Sequence, residues 1–111
     1  MAGGAMMNDH GPASATVPGA REVTVSASSF RFAPEEIRIR TGEDVTIVLA
    51  ASDIAHDFII DELDVHVAAA PGQAGRGGLH APSVPGRYTA YCSVPGHREA
   101  GMTATVVVDT A

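Results

Sequence analysis

The sequence contains no lysine, no tryptophan and a single cysteine, and these absences narrow what its 111 residues can do. One cysteine cannot form an internal disulfide, so a disulfide-stabilised scaffold is excluded. Thirteen acidic residues outnumber seven arginines, and the formal net charge of −6 opposes binding to nucleic-acid phosphates. No stretch reaches the roughly 18 apolar residues that a membrane-spanning helix needs. The length favours one domain, with a core built mostly of Val, Ile, Leu and Ala.

The first twenty residues differ in composition from the rest of the chain. They are rich in Gly, Ala, Ser and Pro, and they lack the basic start and apolar stretch of a secretory signal. We therefore predict a flexible N-terminal segment over 1–20 and one folded domain over 21–111. Met6, Met7 and His10 lie in that segment and carry copper-binding side chains, and their role stays open.

Apolar residues alternate with polar ones from residue 21 onward, which is typical of half-buried strands. The alternation is clearest in "REVTVSAS", "EIRIR" and "DVTIVLA", and further short apolar segments occur at 57–60, 63–67, 86–92 and 103–109. A turn of helix around 61–64 is compatible with the pattern. "APGQAGRGG" at 70–78 is rich in turn formers and is expected to be a loop. About seven or eight strands separated by Pro/Gly turns predict an all-β, antiparallel sandwich or barrel.

The stretch "YCSVPGHREAGM" at 91–102 contains the chain's one cysteine. Cys92 ends one predicted strand and Met102 precedes the next, so the residues between them form a loop at one pole of the sandwich. Prolines and glycines in that loop allow the backbone to fold back on itself. We therefore expect Cys92, His97 and Met102 to converge on one metal ion.

His56 is the candidate for a fourth ligand, since its polar turn between the strands 44–50 and 57–60 is expected at the same pole. Thiolate and thioether are soft donors that stabilise Cu(I), and imidazole suits both oxidation states of copper. Zinc is the main competitor, but structural zinc sites usually contain several thiolates, and methionine is a poor zinc ligand. Copper is favoured. His66 and His80 have no such pattern and are predicted to lie on the surface.

The ligand loop resembles that of the cupredoxins, or blue copper proteins. Its Cys-x4-His-x4-Met spacing is closer to the loops of rusticyanin, auracyanin and sulfocyanin than to the shorter plastocyanin loop. "FAPEEIRIRTGEDVTIVLA", "AHDFIIDEL" and "VPGRYTAYC" extend the resemblance over about 22–109. It implies a Greek-key β-sandwich that binds one type 1 copper per chain. By this resemblance, His56, Cys92 and His97 would be equatorial ligands and Met102 the weak axial ligand.

Residues near His56 are expected to support the ligands through hydrogen bonds. The candidates are Ser52, Asp53 and Asp57. Many family members have an asparagine near this histidine that ties the two ligand loops together. Ser52 or Asp53 would take that role here by bonding to the Cys92 loop.

The function implied by the resemblance is one-electron transfer, with copper cycling between Cu(II) and Cu(I). Redox partner proteins would dock at an exposed edge of His97, beside the apolar Val94 and Pro95. Multicopper enzymes connect their copper centres through a histidine directly beside the cysteine, but Tyr91 and Ser93 occupy those positions, so an enzyme is not expected.

Two alternatives to the carrier stay open. One is a copper-handling protein for trafficking or storage, and the other is an electron-transfer module of a larger copper oxidoreductase. The resemblance also implies a periplasmic or extracellular monomer, either free or membrane-anchored in its native form.

Overall fold

The computed structural model describes residues 13–111, which form a sandwich of two β-sheets. The strands are β1 (Arg21–Ser28), β2 (Arg31–Ala33), β3 (Glu36–Arg40), β4 (Asp44–Ala51), β5 (His56–Ile60), β6 (Val65–Ala69), β7 (Ala74–His80), β8 (Gly86–Tyr91) and β9 (Thr103–Asp109). One turn of 3-10 helix, Asp61–Leu63, follows β5. No helix in the described part has the length and hydropathy to cross a membrane. The expected all-β sandwich is confirmed.

The two sheets mix antiparallel and parallel pairs. The first sheet has the order β2-β1-β4-β7, and the second has the order β3-β9-β8-β5-β6. β1 pairs with β4, and β3 with β9, in parallel register, while the remaining pairs are antiparallel. The antiparallel pairing expected from the sequence therefore does not hold for these two pairs. Parallel neighbours require a crossover connection, and here the chain crosses between the sheets.

The core lies between the sheets, where the apolar side chains of the alternating strands point. Val25, Ile47 and Leu49 are fully buried, as the period-two pattern predicts. Phe32 from the first sheet meets Phe58 from the second edge-to-face, with ring centroids 5.3 Å apart. Such a pair contributes about 0.5–1.5 kcal/mol beyond its buried area. The pair joins the two sheets close to the start of β5, since Phe58 is the third residue of that strand.

β7 is the main departure from the sequence-based expectation, which assigned 70–78 to a loop. A Cβ at Gly75 would lie 1.7 Å from the carbonyl oxygen of Ala68, and one at Gly78 would lie 1.8 Å from that of Ala15. The glycines therefore allow neighbouring backbones to approach β7 closely, a use of glycine found inside strands. With β7 and the short β2, the described chain has nine strands instead of seven or eight.

Ser14 lies between the edge strands β6 and β7, which belong to different sheets. Its N–H donates to the carbonyl of His66 at 2.9 Å, and its carbonyl accepts from the N–H of Gly78 at 2.9 Å. Its hydroxyl donates to the Gly78 carbonyl at 2.7 Å. Ser14 thus closes the seam between the two sheets, although it precedes residue 21, where the domain was expected to begin. His66 is half-buried at this seam, whereas His80 is exposed.

Candidate metal centre

Three strands begin or end at one pole of the sandwich, namely β5, β8 and β9. β5 and β8 are antiparallel neighbours, with Ile59 opposite Tyr91. The first residue of β5, His56, therefore lies beside Cys92, which directly follows β8. The loop that leaves Cys92 returns to β9 and contains the other two candidate ligands. The topology of the second sheet thus brings distant parts of the sequence to one place.

Hydrogen bonds fold the 92–102 loop into a compact turn. The N–H of Met102 donates to the carbonyl of His97 at 3.1 Å, and the N–H of Cys92 donates to the carbonyl of Met102 at 3.2 Å. Gly96 and Gly101 have φ of +86° and +97°, in the left-handed region that residues with a Cβ rarely adopt. These two glycines let the loop reverse so that its middle and both of its ends meet.

Three donor atoms of His56, Cys92 and His97 lie within 4.8 Å of one another. The Cys92 sulfur is 3.8 Å from Nδ1 of His56 and 3.7 Å from Nδ1 of His97. All three side chains are buried, and so is the side chain of Met102. A buried thiol, two imidazoles and a thioether at one pole match the donors that copper prefers, and a single thiolate beside a methionine matches structural zinc poorly.

Burial shifts the pKa values of two candidate ligands, Cys92 and His97, in opposite directions. Burial raises the pKa of the Cys92 thiol, while hydrogen bonds from the backbone N–H groups of Asp57 and Val94 act in the opposite direction. Burial and then the neighbouring His56 lower the pKa of His97, which favours the neutral imidazole that a metal requires. A bound cation would offset the cost of burying the thiolate.

Asp53 fixes the orientation of His56. Nε2 of His56 donates to the Asp53 carboxylate at 2.7 Å, which leaves the Nδ1 lone pair directed at the Cys92 sulfur. The same carboxylate accepts from the N–H groups of Ser29 at 2.8 Å and Ile54 at 2.7 Å. These three hydrogen bonds hold the pKa of Asp53 far below its usual range, and the bond from the Ser29 N–H has the largest effect. A carboxylate behind a ligating histidine is a recurrent support of metal sites.

Asp57 makes the link to the cysteine loop that was expected from Ser52 or Asp53. Its carboxylate accepts from the N–H of Ser93 at 2.6 Å and from the Ser93 hydroxyl at 2.5 Å. Ser52 instead donates from its hydroxyl to the carbonyl of Ala27 at 3.4 Å, away from the loop. Successive residues of a strand point to opposite sides, so the Asp57 carboxylate reaches Ser93 while the ring of His56 faces the Cys92 sulfur.

We expect Asp53→Ala to weaken copper binding about 10- to 100-fold, because His56 loses the acceptor that sets its ring orientation. Competition with a copper chelator of known affinity measures the change. Asp44→Ala is the matched control, since Asp44 accepts from Nδ1 of His80 at 2.8 Å at the pole remote from the cluster. Equal copper affinities of the two variants would show that the Asp53 bond does not support the site.

His97 is covered, in contrast to the exposed edge expected from the sequence. Only 5% of the residue is accessible, and the ring of Phe30 meets it edge-on with centroids 5.0 Å apart. Phe30 itself is 50% exposed, and Ile54 is also exposed. Val94 is half-buried and Pro95 is exposed. The sequence-based prediction missed Phe30, whose one signal is a large aromatic residue in a polar turn.

Comparison with protein families gives one match over most of the chain. The model of the copper-binding proteins of the plastocyanin/azurin family matches residues 20–109. Comparison with curated protein sequences returns no match.

Several solved structures share the fold. Auracyanin A, a blue copper protein from the green thermophilic photosynthetic bacterium Chloroflexus aurantiacus, has a TM-score of 0.71 at 19% identity, covering 82% of this chain and 100% of its own. Auracyanin B has a TM-score of 0.70 at 21% identity, with coverages of 88% and 95%. The periplasmic domain of subunit II of cytochrome oxidase from Bradyrhizobium japonicum has a TM-score of 0.72 at 16% identity, with coverages of 86% and 88%.

Proposed function

Because the chain belongs to the plastocyanin/azurin family of copper-binding proteins, and its cofactor is therefore type 1 copper, we propose that His56, Cys92, His97 and Met102 bind the metal and that the protein is a mobile carrier of single electrons. The observation that supports this best is the buried cluster of one sulfur and two nitrogens within 4.8 Å. When bound, copper supplies a one-electron couple between Cu(II) and Cu(I).

The protein's own residues keep the ligands in one arrangement in both oxidation states. Asp53 holds the ring of His56, and Ser93 ties the cysteine loop to Asp57 on β5. Burial of Cys92 excludes water from the thiolate. Ligands fixed by such hydrogen bonds need little rearrangement when the charge of the metal changes. This rigidity suits electron transfer better than the release of copper.

The docking surface for redox partners lies over His97. It consists of Phe30, which meets the ring of His97, of Val94 and Pro95 in the ligand loop, and of the exposed Ile54, which follows Asp53. A small apolar contact suits the short-lived complexes of electron carriers. The net charge of −6 favours a basic partner, whose approach it would accelerate.

The carrier is not an enzyme in this proposal. Tyr91 and Ser93 flank Cys92, so no histidine beside the cysteine leads to a second copper. Among the described residues, the cluster around Cys92 is the one group of three or more candidate metal ligands of the His, Cys, Asp and Glu types. We place the protein outside the cytoplasm as a monomer. Met6, Met7 and His10, which bear on the copper-handling alternative, lie outside the described residues.

Repeated redox cycling of the copper-loaded chain tests the proposal. With an excess of a Cu(I) chelator present, a carrier keeps one copper per chain and recovers its visible absorption after each reduction and reoxidation. A copper-handling protein loses its metal to the chelator during the first reduction. Metal analysis after gel filtration gives the stoichiometry directly, and loss of copper in the reduced state would overturn the carrier assignment.

A further inference from the structure

Asp57 places a carboxylate inside the protein, next to the candidate metal centre. The residue is only 4% accessible. It directly follows His56, and each of its carboxylate oxygens accepts a hydrogen bond from Ser93, which directly follows Cys92. The side chain is therefore held between the two segments that carry ligands.

No ion pair within residues 13–111 neutralises this carboxylate. The arginines that form ion pairs do so with glutamates and an aspartate elsewhere, at Glu22, Glu36, Glu43 and Asp109. The two groups that donate hydrogen bonds to Asp57, the N–H and the hydroxyl of Ser93, are both uncharged. Asp53 differs, since 40% of its side chain is accessible to water, which screens its charge. Asp57 is thus the acid at this pole whose charge is least screened.

We propose that the Asp57 carboxylate lowers the reduction potential of the copper centre. This inference rests on the proposed function, because it presupposes that the four ligands hold copper. Cu(II) takes one electron from a donor to give Cu(I), and no proton is needed to balance the step. A fixed negative charge nearby stabilises the more positive oxidation state, and it acts more strongly where water is excluded. The charge therefore favours Cu(II).

The substitution Asp57→Asn removes the charge and keeps the shape. The asparagine carbonyl can accept from the Ser93 N–H, and the Ser93 hydroxyl can rotate to accept from the asparagine amide. The backbone N–H that donates to the Cys92 sulfur is also retained. The variant therefore separates the effect of the charge from the effect of the link between β5 and the loop.

Redox titration of the full-length, copper-loaded proteins, followed by their visible absorption, is the test. We expect Asp57→Asn to shift the one-electron equilibrium towards Cu(I) roughly tenfold, which is a rise of about 59 mV. Asp61→Asn is the control, because Asp61 is exposed and accepts from the hydroxyl of Tyr91 outside the ligand set. An unchanged or lower potential in Asp57→Asn, or an equal rise in Asp61→Asn, would overturn the proposal.

Copper affinities give a second readout that does not use electron transfer. Chelator competition should show that Asp57→Asn loses affinity for Cu(II) relative to Cu(I) by the same factor of roughly ten. If the asparagine variant does not fold, Asp57→Ser removes the charge as well and should shift the ratio in the same direction. A wild-type chain without an intense visible band would refute the proposed function and this inference together, whereas a normal band with an unshifted ratio refutes the inference alone.

Discussion

Replacing Cys92 by serine is expected to abolish the intense visible absorption of the copper-loaded protein. The visible band requires a negatively charged, soft thiolate ligand on the copper. A serine hydroxyl stays protonated at neutral pH, and its oxygen is a hard donor that binds copper poorly. Cys92 is fully buried, and its sulfur lies 3.7 and 3.8 Å from the two ring nitrogens. No other cysteine exists in the chain to replace it. The loss should therefore be complete.

Titration with Cu(II) measures this effect. The wild-type band should saturate at one copper per chain, and the serine variant should show only pale, weak binding. Met102→Leu is a useful comparison, since it keeps the buried volume and removes the thioether. That variant should retain the band with a changed ratio to the shorter-wavelength absorption. Pale binding that is the same with and without the thiol would contradict the ligand assignment.

Gly75→Ala is expected to lower the free energy of unfolding by about 3 kcal/mol or more. The added Cβ would lie 1.7 Å from the carbonyl oxygen of Ala68 and 2.8 Å from its carbonyl carbon. Both atoms belong to the backbone of β6, so no side-chain rotation can relieve the overlap. β6 and β7 would have to separate along the seam between the sheets. Urea denaturation of the purified full-length chain measures the change.

Gly86→Ala is the matched control for this substitution. Gly86 also lies in a strand, β8, but a Cβ there would meet nothing closer than 3.8 Å, at the ring of Tyr88. Its free energy of unfolding should change by less than about 1 kcal/mol, and a small gain is expected because alanine restricts the unfolded chain. Similar losses in the two variants would mean that the close approach of β6 and β7 does not limit stability.

Patterns local in the sequence predicted most of the fold. The alternation in β1, β3 and β4 identifies strands because each has one face against the core. The glycine-rich β7 has no such pattern. It pairs with β4 from Ala74 to His80, and its Gly75 makes room for the backbone of β6, which lies against it. That contact depends on the tertiary structure and cannot be found in a window of neighbouring residues.

In the candidate site, too, local patterns predicted some residues, and others could be found only from the tertiary structure. The spacing of Cys92, His97 and Met102 reflects one loop, so the sequence alone indicates their convergence. The contact between Phe30 and His97 joins two loops that are far apart in the chain, and it was missed. The roles of Asp53, in the turn before β5, and of Asp57, on β5, depend on how the tertiary structure places each next to the ligands. The sequence names both as candidates but does not assign Asp57 to the cysteine loop.

The hydrogen bonds of Ser14 to β6 and β7 affect the order in which the molecule folds. The Ser14 hydroxyl donates to the carbonyl oxygens of His66 and Gly78, which are synthesised after it and lie 52 and 64 residues later in the chain. Pairings of such long sequence separation form slowly, because the intervening chain must be ordered first. Ser14 cannot make these hydrogen bonds until both edge strands have left the ribosome, so the first described residues take their place after β6 and β7 have been synthesised.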